Sequence, residues 1–506
     1  MVVSTKSATV IGLNVYEINI EVDTINSIPQ VSIIGLPDTA ISEAKERLRI
    51  AIKNSGYSFP QTKVVINLAP ADLKKEGSSY DLAMAVGILL KEGIIKDFNN
   101  NSIAFLGELS LDGSLREING VLPIVCGLEE LGIKKIILPS ANLEEASFIK
   151  NIETLGADNL SQVVEYLNNN CELKKLSQNI DDFLNEKTDF PVDFAHVKGQ
   201  NIAKRALEIA AAGAHNVLMS GSPGSGKTML SRAFMSILPP LTPKEAIELT
   251  KIYSISGLLD RKNPLITSRP FRAPHHSASA VGIIGGGSNP KPGEITLAHR
   301  GVLFLDEMVE FPRQTLEVLR QPIEDSVVTI SRAQTSVQYP ANFILIGAMN
   351  PCPCGFLGDN KKQCTCSEFQ INRYRARLSG PLLDRIDIQL KVQRLSDDEL
   401  LSNSVEIENS QTIRKRVIKA RKIQQERYKN DGILTNSELS AKLVKKYCKI
   451  DDTTKKFLKN AINQFDLSAR AYDRLLKISR TIADLEEKEN IEISHIAQAL
   501  QLRSFN

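Results

Sequence analysis

The chain has 506 residues, 42% of them hydrophobic and 24% charged, a soluble globular composition too long for one core and sized for about three domains. A net charge of +3 excludes a global polyanion-binding field, so any basic patch must be local. No Trp and only ten Tyr exclude a broad aromatic stacking platform.

Residues 1–30 lack a signal-peptide layout, and nowhere do about 18 apolar residues run together. A cytoplasmic protein without a membrane partner is the expectation. Seven cysteines are an odd number in a large chain, which argues against a disulfide framework.

Residues 1–168 alternate strand-like and helical stretches. Strands are predicted at 9–11 and 15–22. The helix predicted over 41–54 places Ile41, Ala44, Leu48 and Ala51 on one face. A short buried strand follows at 64–68, an apolar helix at 82–90, and a strand at 134–138 ahead of Pro139. Together these describe a mixed α+β domain. The polar stretch 169–193 reads as a linker. Residues 194–395 form a second, α/β segment, and 396–506 a third that is helical by period, opening on a basic helix at 414–427. That helix is either a nucleic-acid contact or the solvated face of an amphipathic helix whose apolar side is Ile413, Val417 and Ala420.

The second segment carries the most informative pattern. Gly221, Ser222, Pro223, Gly224, Ser225, Gly226, Lys227 and Thr228 spell a complete P-loop, preceded by an apolar run and followed by a helical one. That strand–loop–helix setting is what the motif requires. Backbone N–H groups of the glycine-rich turn and the helix N-terminus favour a polyphosphate. Lys227 is placed for the β- and γ-phosphates of ATP and Thr228 for Mg²⁺. Downstream, the buried run 302–305 ends in Asp306 and Glu307. Asp306 suits the outer shell of Mg²⁺, and Glu307 suits polarisation of the attacking water. Asn350, at the tip of the apolar run 343–348, is placed to orient that water. Arg385 and Arg470 are candidates for spread phosphate charge.

The order of P-loop, D-E strand, Asn sensor, L-L-D-R at 382–385 and S-A-R at 468–470 is similar to AAA+ ATPases. More narrowly, V-K-G-Q at 197–200, F-R-A-P-H-H at 271–276, S-G-P-L-L-D-R at 379–385 and S-A-R-A-Y-D-R at 468–474 resemble the magnesium-chelatase-like family of bacterial YifB/ComM proteins. The resemblance implies three parts: a Lon-protease-like α+β domain of the ribosomal S5 domain 2 type, an AAA+ P-loop α/β core, and a C-terminal α-helical lid. It implies that Arg385 is an arginine finger reaching a neighbour's ATP, hence a homo-oligomeric ring, usually a hexamer. It makes Arg470 the sensor 2 residue. The alternative for Arg385 is an intramolecular salt bridge with Asp384 or Asp387.

Residues 64–70, 75–79 and 107–113 resemble the proteolytic domain of Lon, with Ser79 at the nucleophile position. The Lys expected as general base is replaced by Leu122, and leucine cannot accept a proton. This first domain therefore reads as a non-catalytic scaffold or docking module.

Cys352, Cys354, Cys364 and Cys366 occupy fifteen positions, where random placement would leave about 0.2 cysteines. Four thiolates suit tetrahedral Zn²⁺. The alternative is a set of buried or redox-inert thiols beside Asn350. His275 and His276 could be ligands, but adjacent histidines point apart on most backbones; they are read as contacting nucleic acid or a neighbouring subunit, with a catalytic role the lesser alternative. Arg272, Lys291, Arg300 and Arg332, on the inserts that flank the core strands, could track DNA phosphates in a ring channel.

Three functions compete. The resemblance favours a DNA motor, a branch-migration helicase acting in natural transformation. A protein-remodelling or protease-associated ATPase is the alternative, and an ATPase subunit of a magnesium chelatase a third.

Overall fold

The computed structural model describes residues 2–75, 77–96, 102–184, 190–260, 262–287, 290–331, 336–395, 408–465 and 468–503. They fall into two compact units: 1–186 with 243–267, and 187–242 with 268–506.

In the first unit, strands β1 (Val3–Ile11), β2 (Asn14–Ile25), β3 (Gln30–Ile34), β4 (Lys63–Ala69), β5 (Ile103–Phe105), β8 (Lys135–Pro139), β9 (Glu153–Ala157) and β10 (Lys174–Lys175) build one sheet in the order β10-β9-β8-β5-β1-β2-β4-β3, while β6 (Glu108–Leu109) and β7 (Leu115–Arg116) make a small separate hairpin. β4 alternates faces, burying Val64, Ile66 and Leu68, as a strand with one face on a core must. The helix Thr39–Asn54 is capped by Asp38 and buries Ile41, Ala44, Leu48 and Ala51, the predicted face, together with Ile52. The helix Asp81–Lys91 is buried along nearly its whole length. A Cβ at Gly87 would stand 2.8 Å from Val22 Cγ2, so glycine permits the close approach of helix and sheet.

Two features differ from the sequence reading. The stretch 169–193 is not all linker, because β10 joins the sheet edge and Ile180–Leu184 forms a helical turn. The 194–395 segment is not contiguous in space either. Its helix Pro243–Ile255 lies in the first unit, beside the helix Val121–Glu130. Ala246, Leu249 and Ile252 are buried there, and the Ser254 hydroxyl bonds the buried Glu145 carboxylate. An apolar stripe finds its partner by surface complementarity, whatever its place in the chain.

The second unit holds a parallel sheet of β11 (Val217–Ser220), β12 (Phe271–Arg272), β15 (Val302–Leu305), β18 (Ile344–Met349) and β19 (Ile388–Lys391), ordered β12-β15-β18-β11-β19. β11, β15 and β18 are buried at every residue, the pattern of strands covered on both faces. Two ribbons, β13 (Gly285–Gly286) with β14 (Lys291–Pro292) and β16 (Val327–Ser331) with β17 (Ser336–Pro340), lie outside this sheet. C-terminal helices, among them Ser410–Arg427, Ala469–Leu485 and Ile493–Gln501, share one apolar core with the sheet and with the helix Asn201–Gly213. Among the described residues no helix is long and apolar enough to cross a membrane.

The basic helix 414–427 is spent largely inside the unit. Arg416 pairs with Glu208 and Glu408, Arg427 with Asp484, and Arg421 donates to Ala211 O at 2.9 Å. Ile413, Val417 and Ala420 are buried. The amphipathic structural reading fits this helix better than a nucleic-acid contact.

Candidate ATP site and cysteine cluster

The P-loop leaves β11 at Gly221, where a Cβ would stand 2.3 Å from Val392 O. Gly224 and Gly226 have φ of 78° and 92°, the left-handed region that glycine enters without strain. The helix Lys227–Ile237 then begins at once, so its first N–H groups face the turn. Gln200, in the V-K-G-Q stretch, donates to Gln393 O at 2.6 Å and to Ser225 O at 3.4 Å, bracing the loop. Lys227 Nζ donates to Gly221 O (2.6 Å) and Ser222 O (3.0 Å). Burial lowers the Lys227 pKa, against the pull of Asp306 and Glu307.

Thr228 Oγ1 donates to Asp306 Oδ2 at 3.0 Å, and Asp306 Oδ1 accepts from Glu307 N at 3.0 Å. Glu307 has φ 48°, and its side chain is 57% exposed. The structure thus brings Lys227, Thr228, Asp306 and Glu307 together at the C-terminal ends of β11 and β15. Asn350 directly follows β18, the strand between those two. Arg470 stands exposed in the first turn of the helix Ala469–Leu485, after the capping Ser468.

His275 and His276 do not point apart. Their ring centroids are 4.1 Å from each other, and His276 Nδ1 is 3.7 Å from Glu307 Oε2. A tight turn beyond β12, closed by Ala278 N to His275 O at 2.9 Å, gathers both rings on one side. No sequence signal announced this.

Arg385 forms the intramolecular ion pair that was the alternative to a finger, with a different partner. Its guanidinium meets Glu324, and Nη1 donates to Pro381 O at 2.8 Å. Asp387 instead pairs with Arg474 (3.5 Å) and faces His215 Nδ1 (3.4 Å). Arg272 is engaged in a fork with Glu294, at 2.6 and 2.8 Å, and Lys291 is exposed on β14. Arg300 is half-buried, with φ 55° and its N–H on Asn342 O at 2.6 Å. Arg332 lies outside the described residues. In the first unit, Leu122 is fully buried in the core, with its N–H on Glu145 at 2.9 Å. Ser79 is half-buried, and its carbonyl accepts from Gly107 N at 2.9 Å.

The four cysteine sulfurs lie within 4.8 Å of one another. Cys352 Sγ is 3.4 Å from Cys354 Sγ and 3.6 Å from Cys364 Sγ, and Cys366 Sγ accepts from Cys354 N at 3.4 Å. The two C-x-C pairs face each other, so neither has to chelate alone. A tetrahedron with Zn–S bonds of about 2.3 Å has edges of about 3.8 Å, close to these spacings. Backbone N–H groups, first that of Phe356, hold the Cys354 thiol down to about 6. The cluster also touches the P-loop. A Cβ at Gly355 would stand 2.7 Å from Pro223 Cδ and 3.9 Å from Asn350 Cγ, and the Ser222 hydroxyl holds the Asp359 carboxyl below its ordinary value.

A P-loop at the C-terminal end of an interior strand of a parallel sheet, a D-E pair on the next strand but one, and a helical C-terminal region define a magnesium-chelatase-like multidomain α/β protein. Family models agree: residues 193–400 match magnesium chelatase subunit ChlI, 20–142 match subunit ChlI of Mg-chelatase, and 407–503 match the ChlI C-terminal region. The chain is 41% identical to the competence protein ComM of Haemophilus influenzae, covering 97% of this chain and 96% of that protein. It is 40% identical to the uncharacterised protein YifB of Salmonella typhimurium over 100% of this chain and 97% of that one. A 67 kDa magnesium-chelatase subunit of Heliobacterium mobile is 26% identical over 45% of this chain and 38% of its own length. The chain belongs to the YifB/ComM family of magnesium-chelatase-like proteins, and that family, with its P-loop, implies an ATPase that uses ATP and Mg²⁺.

Proposed function

We propose that the protein is an ATP-driven ring motor, a hexamer, that acts on single-stranded or branched DNA as a branch-migration helicase. The observation that carries ATP hydrolysis is the Thr228–Asp306 hydrogen bond of 3.0 Å beside the Lys227 ammonium. Similarity over the full length to a competence protein favours DNA as the substrate. Buried Leu122 at the base position weighs against proteolysis in the first unit.

In this reading Lys227 and the P-loop N–H groups hold the phosphates, and Thr228 and Asp306 hold Mg²⁺. When bound, that ion neutralises charge on the phosphoryl oxygens. Glu307 accepts a proton from the attacking water, and Asn350 keeps the water in line. Arg385 of one subunit meets the developing charge in its neighbour, and Arg470 meets it from the lid. Cys352, Cys354, Cys364 and Cys366 hold a structural Zn²⁺ that keeps the loop between Asn350 and Arg385 in register with the P-loop.

The test is steady-state ATPase activity with and without single-stranded and forked DNA, with Lys227→Ala as the blank. Stimulation that weakens steeply with salt supports the DNA motor. Turnover unchanged by DNA at every salt concentration removes it and favours protein remodelling, to be pursued by pull-down through the first unit.

A further inference from the structure

A finger that serves a neighbour must present its guanidinium at the subunit surface, yet the Arg385 side chain is only 9% exposed. It is drawn inward by two acceptors, Pro381 O and the carboxylate of Glu324, which lies 61 residues away in sequence. Glu324 sits on the short helix Arg320–Asp325. That helix ends at Ser326, in a left-handed conformation with φ 55°, and leads directly into the β16–β17 ribbon. The foot of the ribbon is closed on the same residue, because Ala341 N donates to Ser326 O at 2.8 Å. A tilt of the ribbon therefore carries Glu324 with it. One helix earlier, the Ser379 hydroxyl and Arg320 hold the Glu317 carboxyl below its ordinary value. Ser379 caps the turn of helix that leads to Arg385.

We propose that Glu324 is a positioning residue that parks Arg385 inside its own subunit and releases it when the β16–β17 ribbon moves on engaging a DNA strand. This rests on the reading of Arg385 as a finger acting across a subunit boundary. Glu324 is 52% exposed, so its hold is modest and within reach of substrate binding energy. The parked and released states exchange, and the ribbon biases them. Basal turnover is low because few fingers are free, and DNA raises kcat by raising that fraction.

The experiment measures ATPase activity of full-length Glu324→Gln, Glu324→Asp, Arg385→Ala and the Glu324→Gln/Arg385→Ala double variant, with and without a forked oligonucleotide. Glu324→Gln is expected to raise turnover without DNA roughly two- to fivefold, the shift set by one half-exposed charge pair. Its KM for ATP stays within about twofold of the parent, because Glu324 holds no phosphate and the freed Arg385 meets charge that develops only in the transition state. Glu324→Asp keeps the low basal rate, and both variants carrying Arg385→Ala are inactive. Glu324→Gln with wild-type basal turnover and wild-type DNA stimulation, beside an inactive Arg385→Ala, overturns the parking proposal alone. So does a Glu324→Gln protein of wild-type Tm whose kcat falls as in Arg385→Ala, which would make Glu324 a support for the active geometry. Wild-type turnover in Arg385→Ala overturns the finger reading and the proposal with it.

Discussion

His276 Nδ1 lies 3.7 Å from Glu307 Oε2, although the two residues come from different strand ends, His276 beyond β12 and Glu307 beyond β15. At 3.7 Å the two groups are neighbours without a hydrogen bond; a closure of about 0.5 Å on nucleotide binding would let the ring fix the carboxylate, and the orientation of the proposed general base sets its reach to the attacking water. Glu307→Gln is expected to bind ATP and lose kcat by about 100-fold or more. His276→Ala is expected to lower kcat while leaving the KM for ATP within about threefold. A His276→Ala enzyme with unchanged kcat would show the contact to be incidental.

Lys227→Ala and Thr228→Ala should fail at an earlier step. Both groups stand where phosphate and its metal would be held, so equilibrium binding of a fluorescent ATP analogue should weaken by about tenfold or more, roughly 1.4 kcal/mol or above. The fold should survive, because neither side chain belongs to the buried core. Circular dichroism and the unfolding midpoint check that separation.

Metal analysis of freshly purified protein should find about one zinc per chain, with Cys352→Ser/Cys354→Ser far below that. Because Gly355 abuts Pro223, removing the metal with a strong chelator should raise the KM for ATP as well as lower Tm. A chelated protein with unaltered KM would show that the cluster does not brace the P-loop. Gly355→Ala tests the same contact without touching a thiol. Its φ of 86° and the 2.7 Å approach to Pro223 make a Cβ there strained.

In the first unit, burial pushes the Asp81 carboxyl up to about 6 from 3.8, and the Arg47 ion pair only partly offsets it. A carboxyl whose folded pKa exceeds its unfolded one binds more protons when folded across that interval. Its contribution to stability is fully present below about pH 4 and is lost as pH rises through about 6. Asp81→Asn should therefore gain on the parent protein between pH 4 and 7, by an amount on the order of 2–3 kcal/mol. Urea midpoints of both proteins at several pH values measure the difference directly. A constant difference would contradict it.

The P-loop, the D-E pair and the four cysteines were legible in the sequence because each is a local pattern. Residue types at fixed spacing sit between apolar runs that must become buried strands. The predicted face of the helix Thr39–Asn54 appeared for the same reason, as a 3.6-residue period that backbone geometry imposes. What sequence order could not decide were pairings between distant surfaces. The helix Pro243–Ile255 leaves the segment that encodes it for the first unit, His276 comes to face Glu307, Arg385 takes Glu324 instead of its neighbours Asp384 and Asp387, and Gly355 reaches Pro223. Each of these depends on how far apart packed elements come to rest, and that distance is set by the volumes filling the core between them. The chemistry of the ATP site was thus written in consecutive residues, while its connections to the arginine, the histidine and the cysteine loop exist only once the sheet and its helices have closed.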